Sequence, residues 1–66
     1  MRDINRLDNL YNELKELHKQ IPDWRFGQFV MNFISWYMIK YKRDIFYVED
    51  DKIISLFKEF FNEIRV

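Results

Sequence analysis

The residues of this sequence that could do chemistry are few. There is one histidine, His18, one glycine, one proline and no cysteine. A thiol nucleophile, a disulfide and a thiolate zinc site are thereby excluded. A single glycine builds neither a Gly-x-Ser-x-Gly elbow nor a phosphate-cradling loop. His18 has no evident acid–base partner and falls on an apolar seam, where a packed or boundary histidine is the simpler role. Two polar groupings remain. Arg25 and Gln28 are one helical turn apart and can share a face. Asp44, Glu49, Asp50 and Asp51 form an acidic cluster that could in principle hold a divalent cation. It lacks the alternating oxygen ligands and the turn glycine of a calcium loop, so helix capping explains it better. The inventory predicts a protein that binds rather than catalyses, with no metal and no cofactor.

The elements that must position these residues are organised around Ile21-Pro22-Asp23-Trp24-Arg25-Phe26-Gly27-Gln28. Pro22 has no N–H and pushes Ile21 out of the helical region, so a helix arriving from upstream should end near Gln20. Asp23 suits the N-cap of the next helix. Gly27 costs helix stability, and the close approach of another backbone is a common reason for such a glycine. The octapeptide therefore reads as a helix–turn–helix corner.

The chain is expected to be all-α: one domain over 1–66, with helices at roughly 3–20, 24–40 and 50–64. In the first helix Ile4, Leu7, Tyr11, Leu14, His18 and Ile21 form a seam spaced 3-4-3-4-3, which Leu10 and Leu17 widen. Glu16 and Lys19 are the expected ion pair on its polar face, and Asp3 a plausible cap. In the second helix Phe26, Phe29, Val30, Met31, Phe33, Ile34, Tyr37 and Met38 cover more than half the circumference. The polar remainder is a strip of Arg25, Gln28, Asn32 and Ser35, with Trp36 and Ile39 on or beside it. Residues 41–49 break the helical period and read as an extended aromatic connector. Either Phe46 and Val48 or Ile45 and Tyr47 would pack back, and in an oligomer the segment could pair with its own copy. Asp50 is the expected N-cap of the third helix, with Glu49 and Asp51 complementing its dipole. Ile53, Ile54, Phe57, Phe60, Phe61 and Ile64 form its apolar face. The expected core is Leu14, Phe26, Phe29, Phe33, Tyr37, Phe57 and Phe61. Arg25 is free to face solvent or to pair with the acidic cluster across the fold.

Composition narrows the partners. Eleven basic and eleven acidic residues give zero formal net charge. That argues against a general nucleic-acid binder and gives little protection against self-association. The polar N-terminus lacks the apolar stretch of a signal peptide, and no run is long enough to span a membrane, so a cytoplasmic location and no membrane are expected. Seven phenylalanines, four tyrosines and two tryptophans in 66 residues are more aromatic surface than a small core needs. A chain of this size is only marginally stable alone, so homo-oligomerisation is expected as well.

Two stretches together carry a resemblance. Pro22-Asp23-Trp24-Arg25-Phe26-Gly27-Gln28, followed by Asp44-Ile45-Phe46-Tyr47-Val48-Glu49-Asp50-Asp51, resembles a set of short proteins from Firmicutes and their phages. Those read Pro-Asp-(Leu/Trp)-Arg-(Leu/Phe)-Gly-Gln and then Asp-x-Phe-Tyr-x-Glu-Asp-(Asp/Glu). The resemblance covers most of the chain and implies a phage or mobile-element context. It also implies apolar docking where Trp24 and Phe26 stand, since leucine is used there too. By analogy with small phage accessory proteins, the expected function is an interaction module that binds and blocks a host or defence protein. The candidate binding residues are Trp24, Arg25, Gln28, Asn32, Trp36 and Ile39, with Asp23, Asp44, Glu49, Asp50 and Asp51 as structural caps. The alternatives are an oligomeric small-anion or nucleotide binder held by Arg25 and Gln28, and a small DNA-binding regulator.

Overall fold

A computed structural model describes residues 3–64. Its elements in chain order are α1 (Arg6–His18), α2 (Phe26–Tyr41), a single 3-10 turn at Ile45–Tyr47, and α3 (Asp50–Ile64). No strand occurs among the described residues, and the expected all-α, three-helix architecture holds.

The helix ends follow local hydrogen bonding. Residues 3–5 form a turn in which the Asp3 carboxylate accepts from Asn5 N–H at 3.0 Å and the Asp3 carbonyl accepts from Arg6 N–H at 3.2 Å. α1 therefore starts three residues later than the 3–20 expectation. At its other end Gln20 and Ile21 donate to Leu17 and His18, three residues back, tightening the last turn before Pro22. Trp24 N–H then bonds the Ile21 carbonyl, so the corner is a tight turn. The N-cap of α2 is Arg25, not Asp23, which stays exposed in that turn. Gln28 explains this: its side-chain oxygen accepts from Arg25 N–H at 2.9 Å, so the cap is closed from inside the helix. α2 ends at Lys42, whose φ of 57° is left-handed and whose N–H reaches the Met38 carbonyl at 2.9 Å.

The segment 41–49 is not extended throughout. The Asp44 carboxylate accepts from Phe46 N–H at 2.9 Å and starts the 3-10 turn, which Val48 N–H closes onto the Ile45 carbonyl. A 3-10 turn repeats every three residues, so Ile45 and Val48 point the same way and pack on the core. Phe46 and Tyr47 point outward, so neither alternating pair expected of a strand is the buried one. α3 opens one residue earlier than expected at its cap. The Glu49 carbonyl accepts the first intrahelical bond, from Ile53, so Glu49 takes the N-cap place and Asp50 is already helical.

α3 carries four of the eight buried hydrophobic residues: Leu56, Phe57, Phe60 and Phe61. Both neighbours lean on it. Arg6 pairs with Asp50 at 2.7 Å and Glu13 with Lys58 at 3.5 Å, so α1 runs parallel to α3. α2 crosses instead. Its ring stacks and polar contacts onto α3 run from Phe29 to Tyr41, about 18 Å of helix, but land only on Phe57 to Glu63, about 9 Å. α2 therefore lies at an angle to α3 and not along it. The rings of Phe33 and Phe57 stack at 3.7 Å where the two meet. The resulting body is flat, 38 × 28 × 19 Å, with a radius of gyration of 12.1 Å. A compact chain of this length has about 11 Å.

The core differs from the expected one at both margins. Phe29, Phe33, Tyr37, Phe57 and Phe61 are buried as expected, but Phe26 is 72 % exposed and Leu14 is half-buried. On α1 the inward line is half-buried Leu7, Leu10 and Leu14 with buried Leu17, while Ile4 and Tyr11 are exposed. The expected seam was therefore centred too far round the helix.

A candidate docking groove between α1 and α2

Because α1 lies along α3 and α2 lies across it, the two do not close over each other. Between them is an apolar groove of about 270 Å³. Leu14 and Tyr11 wall it from α1, Phe26 and Val30 wall it from α2, and Phe29 and Phe57 form its floor. The walls are wet and the floor is dry: Tyr11 is 63 % exposed, Phe29 only 2 %. Phe26 lies on the same side of α2 as the buried residues one turn later, yet its own side chain is 72 % exposed, while Phe29 in the same turn is covered by His18 and Phe57.

His18 closes one end of the groove. Its ring stacks flat on Phe29, with centroids 4.5 Å apart and planes within 5°. Its Nε2 lies 2.8 Å from the Trp24 carbonyl. The carbonyl can only accept, so Nε2 carries a proton. The histidine is a packed linker between α1 and the corner. Beyond it is a shallow basin of about 290 Å³ lined by Lys15, His18, Lys19, Pro22 and Trp24. Lys15 and His18 face both spaces, so the apolar groove opens at this end onto positive charge.

The residues expected to form a binding surface do not gather in one place. Trp24 is half-buried, with its ring 6.3 Å from Phe60, and belongs to the scaffold of the corner. Arg25, Gln28, Asn32 and Ile39 are exposed. Gln28 spends its side-chain carbonyl oxygen on the cap, accepting from Arg25 N–H at 2.9 Å. Trp36 is not part of an exposed patch. Its ring packs 5.9 Å from Phe33 and 5.4 Å from Phe60, and its indole N–H donates to Glu63 at 3.0 Å. The wheel placed Trp36 at the edge of the polar strip, and that edge meets the last turns of α3. Ile39 remains exposed on the outer side of α2, with Met31 and Met38.

The acidic residues are divided among separate tasks. Asp44 caps the 3-10 turn, Asp51 accepts from Lys52 N–H at 2.9 Å, and Asp50 binds Arg6. Among the described residues Arg25 makes no ion pair with Asp44, Asp50 or Asp51, and the Asp50 carboxylate is held by Arg6 instead. Among the described residues no group of three or more His, Cys, Asp or Glu is arranged to hold a metal ion.

A second polar cluster, unforeseen from the sequence, locks the far ends of α2 and α3. Lys40 binds Glu59 at 2.6 Å and also pairs with Glu63, while its ammonium lies 5.3 Å from the Trp36 ring centroid. The Tyr41 hydroxyl donates to Glu59, at 2.6 and 2.8 Å from its two oxygens. The hydrogen bonds to Glu59 and then Glu63 raise the Lys40 pKa above its ordinary value. Lys40 in turn holds both carboxyl groups below theirs, helped by Tyr41 at Glu59 and by Trp36 at Glu63. The hydrogen bond to Glu59 raises Tyr41. Every polar group here has a partner, so this cluster is an interhelical clasp.

The fold and the groove together define a small all-α domain with an open, aromatic-walled cleft and a closed polar clasp. Compared with known proteins, the chain matches no family model, no curated protein and no solved structure. Among the described residues no helix is long and apolar enough to cross a membrane.

Proposed function

We propose that this chain is a non-enzymatic protein-interaction module that docks a partner in the groove between α1 and α2. The observation that carries the reading is the exposure of Tyr11 and Phe26 on either side of a buried phenylalanine floor. Exposed aromatics around an apolar cleft are the composition of interface anchors, and water on such walls is released when a partner covers them. The context in which the module works, a phage or mobile-element accessory that occludes a host or defence protein in the cytoplasm, rests on the resemblance of the Pro22–Gln28 and Asp44–Asp51 motifs. The surface first expected to dock, Trp36 with Ile39, gives way to the groove, because Trp36 is held by Phe60 and Glu63.

A photo-crosslinking phenylalanine analogue at position 26 or 11, compared with one at position 39, tests this reading in cells carrying the natural host proteins. Crosslinks from positions 26 and 11, and none from 39, are expected. Capture from position 39 alone, or from none of the three, overturns the groove.

A further inference from the structure

The most exposed aromatic side chains outside the groove are Phe46 and Tyr47, at 79 % and 80 %. They are adjacent, on a turn held at one end by the Asp44 carboxylate and at the other by the Val48–Ile45 bond, and their rings pack edge to face at 5.0 Å. Ile45 and Val48 anchor the turn to the core from beneath. The result is an aromatic knob on a hydrogen-bonded turn. The backbone beneath it is already turned, which spares that part of the ordering cost when the knob is inserted elsewhere.

The geometry points to a head-to-tail contact in which the Phe46–Tyr47 knob of one copy seats in the α1/α2 groove of a second copy. A cavity of about 150 Å³ accepts a benzene ring, so a groove of about 270 Å³ takes an aromatic side chain with its neighbour at the rim. Charge complements shape. The groove opens onto Lys15, which makes no ion pair among the described residues. The knob is flanked in sequence by Asp44 and Asp51, whose carboxylates meet only backbone N–H groups among the described residues. Lys42 and Arg43 lie on the α2 side of Asp44 in the chain. Zero net charge leaves no long-range repulsion between copies. This assignment rests on the groove reading and names its occupant. Knob and groove are different surfaces, so the contact is heterologous and each copy keeps one of each free for the next.

Sedimentation velocity over a wide concentration range reads this directly. The intact chain is expected to give a weight-average mass that climbs past the dimer as concentration rises. Phe46→Ser/Tyr47→Ser removes the knob and Tyr11→Ser/Phe26→Ser removes the groove. All four side chains are exposed, so circular dichroism should show both variants folded. Each alone is expected to weaken association by ~100-fold or more, as loss of interface anchors does. Mixed together, they should form a one-to-one heterodimer and stop there, because only one knob and one groove remain. Lys15→Glu should weaken association as well. A chain that stays monomeric at every concentration, a closed dimer that ignores the knob variant, or a mixture that remains monomeric overturns the self-contact. The first of these leaves the groove available to a different protein, which the crosslinking at positions 11 and 26 detects separately.

Discussion

The two places where α2 meets its neighbours differ in kind. At its C-terminal end Trp36, Lys40 and Tyr41 engage Glu59 and Glu63, and every polar group has a partner. At its N-terminal end Phe26 and Val30 face Tyr11 and Leu14 across an open cleft. Both ends carry aromatic residues, and the sequence alone does not separate them. The difference is one of cover: Trp36, Lys40 and Tyr41 lie against the last turns of α3, whereas Phe26 stays exposed at the lip of the groove. Aromatic content at one end serves cohesion, and at the other Phe26 and Tyr11 stay exposed to solvent.

The sharpest way to break this comparison is to remove a residue both ends depend on. Phe33 is 2 % exposed and stacked on Phe57, so Phe33→Ala should cost about 3–5 kcal/mol, a large part of the stability of so small a domain. Urea denaturation measures it. Trp36→Ala should cost about 2–3 kcal/mol, since it removes a half-buried ring and the donor to Glu63. A loss under 0.5 kcal/mol would return Trp36 to the surface. Gly27→Ala should raise stability by up to about 1 kcal/mol, because a Cβ there meets nothing within 4 Å and the helix gains propensity. If Gly27 were present for close backbone approach, the same change would destabilise. Tyr11→Ser and Phe26→Ser should each change stability by no more than about 0.5 kcal/mol, as exposed positions do.

The clasp also predicts a pH profile, and its groups are solvent-exposed, so the effect is modest. Glu59 and Glu63 have depressed pKa values in the folded chain, so the unfolded chain binds more protons in acid. Their contribution is present above the ordinary 4.5 and is lost as pH falls through the lower folded values. Lys40 is raised, so its contribution holds below 10.5 and is lost as pH rises through the folded value. Melting temperature against pH should therefore show a shallower acid limb in Glu63→Gln than in the intact chain. Superimposable limbs would mean that the clasp is not formed in solution.

Much of the scaffold was legible in the sequence because it obeys local rules. Phe29, Phe33 and Tyr37 repeat at helical spacing, as do Phe57 and Phe61, and the α3 boundaries 50–64 follow from acidic residues before an apolar run. What was not legible depends on how helices are placed against one another. Phe26 has the right angle for burial and the wrong height. Trp36 sits at a wheel edge that only the path of α3 could cover. Some errors had a usable local signal. Leu7, Leu10, Leu14 and Leu17 repeat 3-4-3 and mark the α1 face better than the seam through Ile4 and Tyr11. Gln28, three residues after Arg25, marks the cap that Asp23 does not make. Asp44 two residues before Phe46, with Ile45 and Val48 three apart, marks the 3-10 turn and hence the outward pair Phe46 and Tyr47.

The central claim is that the cleft between α1 and α2, not the outer side of α2, is where this domain meets other protein surfaces. The most direct measurement is the concentration dependence of its assigned backbone and side-chain NMR resonances. The account predicts shifts at Tyr11, Leu14, Phe26 and Val30 together with Phe46 and Tyr47, while Met31, Met38 and Ile39 stay fixed. Shifts confined to Met31, Met38 and Ile39 would contradict it.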